Sequence, residues 1–202
     1  MLKRAFYVCA LVVGLAGLGN SSAGAVTVDV FAKANSSSDG SGKATGVVLT
    51  AGQAFTVSAS TNDLWNAGAL PRWSNADGLI VPLVATGSDD SGETAGTVIG
   101  SIFPLWAQDG LTAPYGSLVG RIGSGAFFLI GTDFSGPAIA SGPLSLYYWD
   151  SNSGDNSGFV TATIDAAAVP GPIVGAGLPG LLMALGGLVV LSRRRRNQAA
   201  VA

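Results

Sequence analysis

In several stretches between residues 26 and 166 the apolar side chains recur at every second position, and no stretch shows convincing 3.6-residue helical spacing. Val26, Val28 and Val30 alternate with Thr27 and Asp29; Phe55, Val57 and Ala59 alternate with Thr56, Ser58 and Ser60. Residues 45–50, 117–122, 126–130, 144–149 and 159–164 read as further strands. Residues 79–85 read as an edge strand, because Pro82 cannot donate to a ladder on both sides. Gly123-Ser124-Gly125 is a tight connection of the hairpin kind. Residues 62–78 are irregular but carry Trp65 and Trp73, residues 86–96 form a polar, acidic loop, and residues 97–105 fit no single pattern. The chain has 30 glycines in 202 residues, and glycine works against helix. The expected fold is all-β, a sandwich or jelly-roll-like domain over residues 26–168. Leu144, Leu146 and Tyr148 supply one inward stripe, and Val160, Ala162 and Ile164 another.

Charge and cysteine usage narrow the function. Charged residues make up 11% of the chain, against about 25% in typical soluble domains. Lys33, Lys43, Arg72 and Arg121 are the only basic residues between 26 and 169, a stretch that holds all twelve acidic ones. Such a body has no basic footprint for phosphates, so nucleic acid is excluded as a partner. The chain has no His and one Cys, Cys9, which excludes His-based triads, zinc sites built on His or several Cys, and an intrachain disulfide.

The two ends read as targeting segments. Lys3 and Arg4, an apolar run over 6–19 and Ala23-Gly24-Ala25 form a signal-peptide pattern over residues 1–25, with cleavage after Ala25. Residues 173–191 are uncharged and just long enough to span a membrane, and Arg193 to Arg196 follow directly. Val169-Pro170-Gly171-Pro172, the glycine-rich run behind it, the apolar span and the arginines together resemble the glycine-rich variant of the PEP-CTERM sorting signal, over 169–197. That resemblance implies an exosortase-type membrane protease as a partner and a cut near 169–172. It also implies passage from the inner membrane and periplasm to the cell surface or the extracellular space. It departs from the commoner form in having Gly171 at the acidic position.

The 147–158 stretch gathers Asp150, Asn152, Asp155 and Asn156 between two expected strands. Carboxylates, amide oxygens and loop carbonyls are the hard donors calcium takes, six to eight at a time. The same residues are what a solvated hairpin loop uses for turn geometry, so composition leaves both readings open. Trp65, Trp73, Trp106 and Trp149 are either core or platforms for the apolar face of a sugar. Trp149 is out of phase with the Leu144, Leu146 and Tyr148 stripe and adjoins Asp150, which makes it the expected exposed platform.

Several segments resemble the small calcium-dependent galactose-binding lectins of bacteria, a β-sandwich family. They are Asp109-Gly110-Leu111, the run from Pro114 to Gly123, Tyr148-Trp149-Asp150, and Asp155-Asn156-Ser157-Gly158 with the strand after it. The resemblance implies a calcium site from Asp150, Asp155 and Asn156, with backbone carbonyls near Gly154 and Trp65. It implies a sugar contact at Gln108 or Asp109; with Trp149 as the platform read from its phase, and Asp150 and Asp155 from the loop, these are the candidate sugar contacts. Asp155 stands where the family has Asn, the loop is two residues shorter, and the family's sugar-contacting His has no counterpart. The leading expectation is an exported, non-enzymatic module that binds carbohydrate, an exopolysaccharide, with calcium. The alternatives are a passive structural matrix protein and a hydrolase using two carboxylates such as Asp150 and Asp155. Self-association into a homo-oligomer stays open.

Overall fold

The computed structural model describes residues 24–167. The expected signal peptide up to residue 23, the expected sorting motif and 173–191 span, and Arg193 to Arg196 lie outside the described residues. Among the described residues no helix is long and apolar enough to cross a membrane.

The described body is all-β. Its fourteen strands are β1 (Val26–Phe31), β2 (Lys43–Leu49), β3 (Ala54–Ala59), β4 (Trp65–Asn66), β5 (Trp73–Ser74), β6 (Leu83–Val84), β7 (Val98–Gly100), β8 (Leu105–Gln108), β9 (Leu111–Pro114), β10 (Leu118–Ile122), β11 (Phe127–Leu129), β12 (Asp133–Pro137), β13 (Gly142–Tyr148) and β14 (Ser157–Ala166). Six of them form one sheet in the order β12-β3-β14-β4-β5, with β1 also on β14; four form a second, β11-β10-β13-β2. The arrangement is consistent with a jelly-roll-like sandwich.

The alternation seen in the sequence becomes the sandwich interior. Val30, Phe55, Val57, Val160, Ala162 and Ile164 from the first sheet share one buried cluster with Leu49, Leu118, Ile122, Leu144, Leu146 and Tyr148 from the second. The intervening Thr27, Asp29, Thr56 and Ser58 stay exposed, as a half-buried antiparallel strand requires. Every strand expected from the pattern appears within a few residues of its expected bounds, except that the 79–85 segment shrinks to β6. That strand pairs only with β7, in keeping with an edge role for the segment around Pro82.

Besides the short strands β4, β5 and β7, which fall in stretches read as irregular or unassigned, two larger elements stand outside the expectation. One is β12, which extends the first sheet beyond β3. The other is the β8–β9 hairpin, turned by Asp109 (φ 46°) and Gly110 (φ 84°). Two successive positive φ angles are what a tight two-residue hairpin turn needs, and Asp-Gly is the pair that adopts them readily. This hairpin lies over the outer face of the second sheet, where Ala113 joins Val119, Phe127 and Trp149 in a second cluster, with Trp106 and Leu111 packed against it.

Candidate functional site

The 150–156 loop leaves β13 and enters β14, and its first residue is pinned on all sides. The Ser37 hydroxyl donates to the Asp150 carbonyl (3.1 Å) and accepts from the Asp150 amide (3.2 Å). Ser37 is held in turn by the amide of Gln108, whose Nε2 donates to the Ser37 carbonyl at 2.9 Å. Further along, Asn152 closes the loop on itself: its Oδ1 accepts from the Gly154 amide (3.0 Å) and its Nδ2 donates to Asp155 Oδ1 (3.2 Å). This is the local side-chain-to-backbone closure that Asn provides in turns.

Asp150 is only 4% exposed. Burial drives its carboxyl above the ordinary carboxylate range. The Ser151 amide (2.6 Å to Oδ1), the Asn156 side chain and the Asn152 amide pull it back, and the neighbouring Asp155 charge adds to the rise. Asn156 is 5% exposed; its Nδ2 donates to the Ala32 carbonyl (3.3 Å), and its Oδ1 is buried with no hydrogen-bond partner. A buried oxygen of this kind ordinarily has a partner, so one without calls for a ligand, an ion or water. Among the described residues the other buried side-chain polar atom without a partner is the hydroxyl of Tyr148, whose ring stands edge-on to Trp65 at 4.5 Å. Burial keeps that phenol neutral, with Asp150 and Asp155 adding to the effect.

A cleft of about 210 Å³ opens beside the loop. Asp150, Ser151, Asn152 and Asp155 form one wall. Arg72, Phe103 and Tyr115 line the remainder, together with Ala67 and Leu79. The Arg72 guanidinium lies over the Phe103 ring (4.9 Å), Phe103 meets Tyr115 edge-on (5.1 Å), and the Tyr115 hydroxyl is hydrogen-bonded to the Ser151 hydroxyl (3.1 Å). Gly68 (φ 117°) runs so close to the Asp155 carboxylate that a Cβ there would strike it. Glycine at that position therefore lets Asp155 sit where it does.

The fold brings Asp150 and Asp155 into the cleft and Asn156 into contact with Asp150. It places the other expected residues elsewhere. Trp149, expected as an exposed platform, is fully buried. It does face away from the main stripe, but the β8–β9 hairpin covers that face, and its Nε1 donates to the Trp106 carbonyl (3.1 Å). Trp65 is fully buried too, with Nε1 donating to the Gly116 carbonyl (2.8 Å), and Ala67, not Trp65, is the residue of that segment lining the cleft. The Gly154 carbonyl, expected as a cation ligand, accepts from the Lys33 ammonium (3.1 Å). Gln108 acts through Ser37 rather than from the cleft wall, and Asp109 sits exposed at the hairpin turn. Among the described residues no group of three or more His, Cys, Asp or Glu side chains converges as a metal cluster. Arg72, Phe103, Tyr115 and Ser151 escaped the sequence reading. The one available signal was Tyr115, which lies inside the lectin-like run from Pro114 to Gly123.

No protein-family model matches the chain, and no curated protein matches it. Among solved structures it is similar to one described as the EclA N-terminal domain, a PllA-like lectin. The identity is 22% and the TM-score 0.45, over 70% of this chain and 95% of that one.

Proposed function

We propose that the body is a carbohydrate-binding module whose site is the cleft beside the 150–156 loop. The observation that carries this reading is the make-up of the cleft. Carboxylates, an amide and a hydroxyl (Asp150, Asp155, Asn152, Ser151) stand with the aromatic rings of Phe103 and Tyr115 in one concavity. Sugar hydroxyls pair with the first set, and the apolar face of a pyranose packs on the second. The volume is below the 300–1,000 Å³ of pockets for drug-sized ligands and suits one sugar ring at a chain end.

A calcium ion is part of the proposal, and the donor set fits it in part. Asp150 is a carboxylate raised by burial, and the partnerless Asn156 oxygen is a second hard donor close to it. Asp155 is a third. The Gly154 carbonyl already accepts from the Lys33 ammonium, so water or sugar oxygens have to help complete the shell. When bound, the ion supplies a positive centre for sugar hydroxyls; Ser37 and Gln108 keep Asp150 in place whether or not it is there. The sequence signals at both ends support export and exosortase-type sorting of this module to the surface.

The second reading, a passive matrix component, is favoured by one observation: the Lys33 ammonium already occupies the Gly154 carbonyl. Isothermal titration separates the two. On the proposed reading calcium binds, a hexose then binds more tightly in its presence, and Asp150→Ala abolishes the calcium response. A folded protein silent to both ligands supports the passive reading, and a calcium response unchanged in Asp150→Ala rejects the site.

A further inference from the structure

We infer that Arg72 makes this cleft selective for an anionic saccharide, a sugar carrying a carboxylate or an acidic ester; the inference rests on the carbohydrate reading above. Among the described residues Arg72 is the only basic side chain lining the cleft. Its guanidinium lies over Phe103, and among the described residues it forms no ion pair. A guanidinium held by its face on an aromatic ring keeps its in-plane N–H donors for another partner, in the fork geometry that matches a planar carboxylate.

Asp150 and Asp155 line the same cleft, and beside Gly68 an Asp155 oxygen and an Arg72 nitrogen both stand near where a Cβ would sit, the nitrogen at 3.6 Å. One cleft therefore offers acceptors for hydroxyl protons together with a cationic fork that forms no ion pair. A neutral sugar satisfies the acceptors and leaves the fork without a partner. A purely anionic ligand without hydroxyls meets two carboxylates. A sugar that combines hydroxyl groups with one negative charge satisfies both.

The test compares matched ligands that differ only in charge: galactose with galacturonate and with galactose 6-sulfate, and glucose with glucuronate. Affinities for the full chain are measured by titration at low and at physiological salt, with calcium present. The expected result is roughly tenfold tighter binding of a charged sugar than of its parent, the scale of one charge-assisted hydrogen-bonded contact. The preference should weaken with salt. Arg72→Gln should erase the preference, read as the ratio of charged to neutral affinity within the same folded variant; Arg72→Lys, which keeps the charge without the fork, should give an intermediate ratio for the carboxylates. A response to sulfate but not to carboxylates, still lost in Arg72→Gln, assigns the ligand to the acidic esters and supports the inference. Equal binding of charged and neutral sugars, or a preference that survives Arg72→Gln in a folded protein, overturns the inference and leaves the carbohydrate reading intact. Binding of no sugar at all overturns both.

Discussion

Replacing Asp150 by Asn should separate the stability of the loop from its capacity to bind a cation. In the ligand-free protein the Asp150 carboxylate is 4% exposed and beside Asp155, and burial is the largest influence on it, raising its pKa. A native state that holds the proton more tightly than the unfolded chain gains stability from protonation. That gain is complete below the unfolded carboxylate pKa near 4 and is lost as pH rises through the higher folded value. At pH 7 the ionised Asp150 is therefore a net burden. Asn keeps an acceptor for the Ser151 amide, now 2.6 Å from Oδ1, and weakens acceptance from the Asn156 side chain and the Asn152 amide. Those two hydrogen bonds cost about 1 kcal/mol each, while the relief from a buried charge is worth about 2 kcal/mol once its remaining hydrogen bonds are counted. The expected balance is a stability within about 1 kcal/mol of wild type for Asp150→Asn in urea unfolding at pH 7 with chelator, with the charge relief shrinking as pH falls toward 4. With calcium at a hundredfold excess over its Kd, wild type should gain about 2.7 kcal/mol and the variant little. A variant less stable than wild type by more than about 1 kcal/mol in chelator at pH 7 would refute the reasoning. Its carboxylate would then be serving the fold rather than a ligand.

Two further substitutions probe the packing under the site. Trp149→Ala removes a fully buried side chain that touches Phe127 (ring centroids 5.4 Å) and anchors the β8–β9 hairpin, and should cost about 3–5 kcal/mol in denaturant unfolding; a loss below about 1 kcal/mol would show that the hairpin does not cover it in solution. Tyr148→Phe deletes a buried hydroxyl with no partner and leaves the ring against Trp65, so stability should hold or rise by about 1 kcal/mol. A clear loss would mean that the hydroxyl has a partner such as an ordered water.

Much of the fold was readable because sandwich strands bury one face only, so β1, β3, β13 and β14 wrote the burial pattern directly into the alternation of their residues. The β8–β9 hairpin was not read, since four-residue strands carry too short a pattern. The Asp109-Gly110 pair was its one clear mark, and it entered only as part of a resemblance. That omission produced the error over Trp149: its phase relative to the β13 residues before it was read correctly, but an outward-facing residue is exposed only if nothing covers that face. In the site, the acidic wall was legible because Asp150, Asn152, Asp155 and Asn156 are neighbours in sequence. The other wall was not, because Arg72, Phe103 and Tyr115 come from separate segments that only the folded chain brings together. The Lys33 contact with Gly154 was illegible for the same reason, joining residues 121 positions apart.

The account rests on Asp150, in the cleft lining, and Asn156, buried against it, together holding a cation at the cleft. A high-resolution crystal structure of the protein grown with calcium and a hexose tests this most directly. The account predicts an ion contacting an Asp150 oxygen and Asn156 Oδ1 at about 2.3–2.6 Å, with the sugar between that ion and the Phe103 and Tyr115 rings. A well-ordered 150–156 loop with water alone in the cleft, or with ion and sugar bound elsewhere on the surface, would contradict it.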